Sequence, residues 1–290
     1  MCKFPFLKLI ALGIALLTVA GCSMDKMLVR ASTPMIEGGV EALNHETDLK
    51  LAEDSIPANL NMLQGMINID PENALLQTYA AQAYYGLSYG FNEDNRPERA
   101  TDFYLRGRQH GLTALKINSG KDLLNITIID FDKAVNQLDK DDVAAMFWTA
   151  SCWAKWIDMH RDDPEAIAQL VRATALMQRV LELDETFYHG GAHMYFGVYY
   201  GSRSPLLGGN FEKSRQHFNR AREITNNKLL IPDLLQAQYL ARQQQDKQDF
   251  HDRLNAVINA PDDLMPSLGL QNKIAQRKAA ALLKQENEWF

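Results

Sequence analysis

An all-α fold, a tetratricopeptide-like array of antiparallel helical hairpins with one inserted helix, is predicted by three features of the sequence. Apolar residues recur at i, i+3, i+4 and i+7 from residue 50 onward, the period of helices that bury one stripe. β-Branched clustering is confined to the short run NITII (125–129). Four segments share one ending: MINIDP (66–71), ALKINS (114–119), VLELDE (180–185) and AREITN (221–226) each close an apolar run on an Asp, Asn or Thr-type stop.

The elements follow in order. Residues 1–21 read as a signal segment, with Lys3 and Lys8 ahead of the apolar run LIALGIALLTVA and small residues at its end. That run is shorter than the roughly 20 apolar residues a membrane span needs. It ends in VAGC, which resembles the lipobox of bacterial lipoproteins, so Cys22 is expected to carry the lipid and become the new N-terminus. More than one acyl chain gives stable anchoring. Ser23 stands where an aspartate would signal inner-membrane retention, so the same resemblance implies a periplasmic protein anchored to the outer membrane. Residues 22–45 are expected to form the lipidated start, a linker and the beginning of the first helix, and residues 46–290 the helical-repeat domain.

Within that domain, three segments have the character of first helices of hairpins: YYGLSY (84–89), CWAKWI (152–157) and YFGVYY (195–200). Gly86, Ala154 and Gly197 are expected where paired helices cross, because close approach needs small side chains there. Glycine costs up to about 1 kcal/mol in a helix, so two placed alike point to a packing demand. Second helices carry small or bulky residues seven and three positions before the first residue of the shared segments at 114, 180 and 221: Gly107 and Gly111, Ala173 and Met177, Ser214 and Phe218. LLNITIIDFDKAVNQL (123–138) reads as a helix inserted between repeats. Loops are expected at 90–98, 160–164, 202–210 and 259–267.

Composition narrows the function. The formal charge is −6, from 30 basic against 36 acidic residues, with no basic run. Nucleic acid is therefore excluded as a partner, because phosphate contacts need clustered cations. Loss of residues 1–21 would remove two lysines and leave −8. It would also remove Cys2, and with Cys22 lipidated, Cys152 is the one free thiol; no internal disulfide can form, so the core must hold the fold.

HGGAHMYFGVYYGSRSPLLGGN (189–210) holds the most chemistry-bearing letters. His189 and His193 stand four apart, but Gly190 occupies the place where H-E-x-x-H carries its glutamate, so no metal is expected. His193 is instead expected to line the inner face and donate to a carboxylate or carbonyl. The loop SPLLGGN lacks the phosphate-loop pattern; Gly208 and Gly209 are expected to permit positive φ in a turn, and Asn210 to cap the next helix. Aromatics on the first helices would make a concave face amphipathic, with at least half of them serving as core. Tyr89, Trp156, His193, Tyr199, Tyr200 and Arg203 are the candidate ligand-binding residues, with Arg203 as the carboxylate contact. No catalytic constellation is present, and neither enzyme activity nor a cofactor is expected.

ERATDFYLRGRQHGLTALK (98–116), FWTASCWAKWI (147–157), SRSPLLGGNFEKSRQHFNRA (202–221) and QNKIAQRKAAALLKQENEWF (271–290) together resemble the TatT family. These are periplasmic lipoproteins associated with tripartite ATP-independent periplasmic (TRAP) transporters. The resemblance covers essentially the whole mature chain. It implies a homotrimer that docks the transporter's periplasmic substrate-binding protein and offers a path for a small apolar or carboxylated ligand. Asn210 replaces the usual acidic residue and Ser214 the usual alanine, both mild departures. The alternative is a scaffold lipoprotein with a tetratricopeptide-like groove that serves envelope assembly.

Overall fold

Asp48 opens the longest apolar helix of the N-terminal half by accepting from the backbone amides of Lys50 and Leu51 at 2.8 and 3.1 Å, satisfying two of the donors that a helix start leaves free. Asn73, Thr127, Asp163, Asn210 and Asp246 cap other helices in the same way. The computed structural model describes residues 24–290, and among the described residues every regular element is a helix. The signal segment and Cys22 lie outside them.

The order is α1 (24–31), α2 (Thr33–His45), α3 (Leu49–Ile69), α4 (Ala74–Leu87), α5 (Pro97–Ser119), α6 (Ile128–Val135), α7 (Val143–Asp158) and α8 (Pro164–Ala168). Then follow α9 (Leu170–Leu183), α10 (Phe187–Gly201), α11 (Phe211–Ile224), α12 (Ile231–Leu235), α13 (Arg242–Gln244), α14 (Lys247–Ile258), α15 (Gly269–Leu283) and α16 (Glu286–Trp289). The four endings read from the sequence coincide with the ends of α3, α5, α9 and α11. α5 stops because Gly120 adopts φ 70°, a left-handed cap that glycine enters without steric cost.

Successive helices pack pairwise, α4 on α5, α5 on α7, α7 on α9 and α10 on α11, with α14 on α15 at the C-terminal end. The pairs run antiparallel. Along α5, Gly107 sits against Cys152 and Asn118 hydrogen-bonds Asp142 at 2.7 Å, so one chain number rises as the other falls. Phe131, Met146, Trp153, Leu176 and Phe196 belong to one continuous core among α4 to α10, and Phe250, Leu254 and Leu234 centre a second under α12, α14 and α15.

Two expectations about packing need correction. Only residues 128–135 of the segment 123–138 form a helix. Thr127 caps it there, its hydroxyl accepting from the Asp130 amide at 3.2 Å, while Arg172 binds the carbonyls of Leu123 and Ile126 and holds the preceding chain as a turn. Gly86 is not at a crossing: a Cβ built on it meets nothing within 4 Å, and it lines an open cavity. Ala154 lines that cavity too. Gly107 packs against the Sγ of Cys152 and the backbone of Ala81, Gly111 against Thr149, and Gly197 against the ring of Phe218. Ser214 seals the same α10–α11 crossing by donating to the Gly197 carbonyl at 2.7 Å.

Candidate functional site

α4, α7, α10 and α12 turn one face each toward a shared concavity, and α2, α3 and α15 close its sides. The space is about 660 Å³, within the range of small-molecule sites. Its wall is mostly apolar and aromatic: Phe147, Trp148, Tyr188, Met194, Tyr195 and Val198 contribute beside Tyr85, Leu270 and Ile274. Many of these rings also contact one another, as Trp148 does Tyr188 at 4.6 Å between centroids, so core and lining are the same aromatic layer.

Four charged side chains reach the wall: Lys155, Asp158, Arg161 and Arg203. Three are spoken for. Lys155 pairs with Glu93 at 2.5 Å and with Asp158 at 3.7 Å, and Arg161 hydrogen-bonds Asp158 through two nitrogens. Tyr239 donates to Asp158 at 3.4 Å. Burial opposes the charge on Lys155, but Glu93 and the neighbouring Asp158 outweigh it and hold the amine well above the usual lysine range. The same lysine keeps the half-buried Asp158 carboxyl below its ordinary range despite desolvation.

Arg203 differs. Its Nε and Nη2 donate to the Tyr199 carbonyl at 3.2 and 2.9 Å, and its guanidinium lies 3.9 Å from the Tyr199 ring centroid. Among the described residues no carboxylate pairs with it. The loop that carries it is held by the turn that follows: Gly208 has φ 84°, and Gly209 abuts the Arg203 carbonyl too closely for any Cβ. Only Gly208 takes the positive φ expected of both; Gly209 is required by backbone approach instead. Asn210 then starts α11, its Oδ1 accepting from the Lys213 amide at 2.9 Å.

Two π-helical turns border the cavity, Ser88–Asn92 and Gln236–Ala241, and they present Tyr89 and Tyr239. Such wide turns free carbonyls that need partners. In the first, Ser88 Oγ takes the Tyr84 carbonyl and Asn92 Nδ2 the Leu87 carbonyl, each at 2.8 Å, while Arg277 binds Gly90 from α15. Tyr89 stacks on Tyr85 with Lys278 Nζ 4.7 Å from its ring centroid, and its hydroxyl is buried with no hydrogen-bond partner among the described residues.

Of the candidate ligand residues, Tyr89, Tyr199 and Arg203 line the cavity. His193, Tyr200 and Trp156 do not. α10 begins with three left-handed residues, Tyr188, His189 and Gly190, so the two histidines do not share a regular helix face. His193 turns toward α11, where Nε2 meets Glu185 at 3.0 Å and Nδ1 meets Nδ1 of His217 at 3.0 Å. Tyr200 stacks on that His217, and Trp156 lies under Arg108 and beside His160. No group of three metal-ligating side chains occurs among the described residues.

The polar end of the cavity was missed in the sequence, although a signal exists. Trp148, Ser151, Lys155 and Asp158 stand at helical spacing in an otherwise apolar helix, which puts a charged pair on the face that α7 turns inward. The π-helical turns leave no comparable trace. Compared with known proteins, residues 45–290 match the family model described as the TRAP transporter T-component. No curated protein matches the chain.

Proposed function

Because the chain belongs to the TRAP transporter T-component family, we propose that it serves its transporter by docking the periplasmic substrate-binding protein and holding an apolar ligand with one carboxylate. Arg203 carries this reading: a guanidinium with no carboxylate partner among the described residues, at the wall of an apolar cavity of about 660 Å³. A charge so placed gains most from an anion that brings an apolar body with it, since a charge-assisted pair is strengthened where water is scarce. The reading also comprises lipidation at Cys22, a periplasmic location at the outer membrane, a homotrimer and a role without catalysis.

Calorimetry with dodecanoate and dodecanol tests the ligand. Binding of both, with Arg203→Gln weakening dodecanoate by about tenfold or more and leaving dodecanol unchanged, supports it. Absence of binding, or equal loss for acid and alcohol, overturns it. Capture of the transporter's substrate-binding protein by the purified chain tests the docking, and failure of the two to associate overturns that part.

A further inference from the structure

Residues 24–42 form a nearly continuous helix with one face that no other described residue covers. Ser32 alone separates α1 from α2; it keeps right-handed torsions (φ −84°, ψ −2°), and its hydroxyl bonds back to the Leu28 carbonyl at 2.9 Å. The inner face is fixed by Val29 and Ile36, buried with Leu63, Ile67 and Leu76. Lys26 and Arg30 lock that orientation through ion pairs to the buried Asp70 at 3.5 and 2.8 Å. At 3.6 residues per turn, Met24, Met27, Leu28, Ala31 and Met35 then share an outward face. All five are exposed, Met24 and Met27 at 65%, Leu28 at 68% and Met35 at 79%. Gly38 and Ala42 continue the stripe, and Asp25, Lys26, Arg30, Glu37 and Glu41 fall outside it.

Exposed apolar side chains scattered singly need no partner, but a charge-free stripe of this length does. Its position in the chain says which. Met24 is two residues from Cys22, a span of at most about 7 Å. Acyl chains on Cys22 would hold the start of the stripe at the lipid headgroups, where amphipathic helices bury their apolar face about 5–10 Å deep. We infer that α1 and the first turns of α2 lie on the bilayer as an interfacial helix. Met35 is the last large side chain of the stripe and also lines the cavity. The seated helix therefore places the Met35 side of the cavity next to the lipid. The inference rests on the lipid-anchor part of the proposed function.

Methionine oxidation reads this face directly. Cys152 is buried, so in a chain beginning at Cys22 the Cys22 thiol can be coupled selectively. Coupling to maleimide lipid in vesicles of phosphatidylethanolamine and phosphatidylglycerol is compared with coupling to hydrophilic maleimide beads, under dilute peroxide. Oxidation of Met24, Met27 and Met35 is expected to be several-fold slower on vesicles. The double change Met27→Asp, Leu28→Asp should abolish the protection without altering thermal unfolding, because both side chains are exposed. Equal rates on the two supports overturn the inference. Protection in free solution that grows with protein concentration also overturns it, since a second copy then covers the stripe. Labelled palmitate, incorporated into the cellular protein and lost with Cys22→Ser, tests the anchor separately; its absence sinks the anchor while the vesicle comparison still decides the helix.

Discussion

The ring of Phe218 occupies the space that a side chain at position 197 would need: a Cβ built on Gly197 lies 2.6 Å from Cε1 of Phe218. Phe218 is fully buried between α10 and α11, so neither partner can yield without opening the crossing. Gly197→Ala is expected to destabilise the fold by about 1–3 kcal/mol through overpacking. Gly86→Ala, where a Cβ meets nothing, should be neutral or stabilising by up to about 1 kcal/mol through helix propensity. Urea unfolding of the two variants gives the comparison, and equal effects would refute the distinction between a crossing glycine and a cavity glycine.

His217 supplies a pH signature. Burial, then His193, then Lys213 hold its imidazole at about 4 against the ordinary 6.5. Its neighbourhood also includes Tyr200 and the Glu185–Arg220 pair beyond His193. The unfolded chain binds this proton more readily, so the contribution is full above 6.5 and is lost as pH falls toward 4. Glu185 titrates lower: the Arg220 hydrogen bond, then His193, hold it at about 2, so its contribution is full above 4.5 and lost as pH falls toward 2. His217→Asn should flatten the dependence of the urea midpoint on pH between 6.5 and 4, leaving the loss below it.

Much of the helical order was legible because it is local. Endings such as VLELDE and AREITN join a broken apolar period to a stop residue, and α9 and α11 end there. Asn210 and Gly208 were legible for the same reason, since a cap and a left-handed turn are set by a few neighbouring residues. The register of the crossings was not. YYGLSY and YFGVYY read alike, yet Gly86 faces the cavity and Gly197 faces Phe218, because the facing helix decides which small residue is pressed upon. His193 was misplaced because three left-handed residues rotate the start of α10, and its partner His217 is distant in sequence. The Tyr89 hydroxyl sits on a π-helical turn held in part by Arg277, far away in sequence, which no window of sequence reports.

That isolation has a measurable cost. A buried hydroxyl without a partner is unfavourable by about 1–3 kcal/mol, and Tyr89 lies at the cavity wall where a ligand's polar group could supply the partner. Tyr89→Phe is therefore expected to stabilise the ligand-free protein by about 1 kcal/mol while weakening the binding of dodecanol severalfold. A destabilised ligand-free variant in thermal unfolding would contradict the assignment.

The support beneath Tyr89 yields the strongest expected effect. Glu93 directly follows the π-helical turn and accepts from Lys155, Lys278 and the Tyr104 hydroxyl at 2.5, 3.3 and 2.9 Å. Its side chain is 12% exposed, and those of the two lysines 18% and 8%. Removing the shared carboxylate leaves two largely buried ammonium groups, of which Lys278 keeps Asp94 at 2.9 Å and Lys155 keeps only the longer contact to Asp158. Breaking one side of a buried ion pair costs about 3–5 kcal/mol, and the remaining contacts place Glu93→Gln near the lower figure. The amine of Lys155 should also fall from its raised value, because burial then acts with less opposition. Replacing Lys155 and Lys278 by methionine together with Glu93→Gln removes the stranded charges and should recover most of the loss. Denaturation of the single and triple variants distinguishes a stranded charge from a merely deleted contact: only the former predicts recovery.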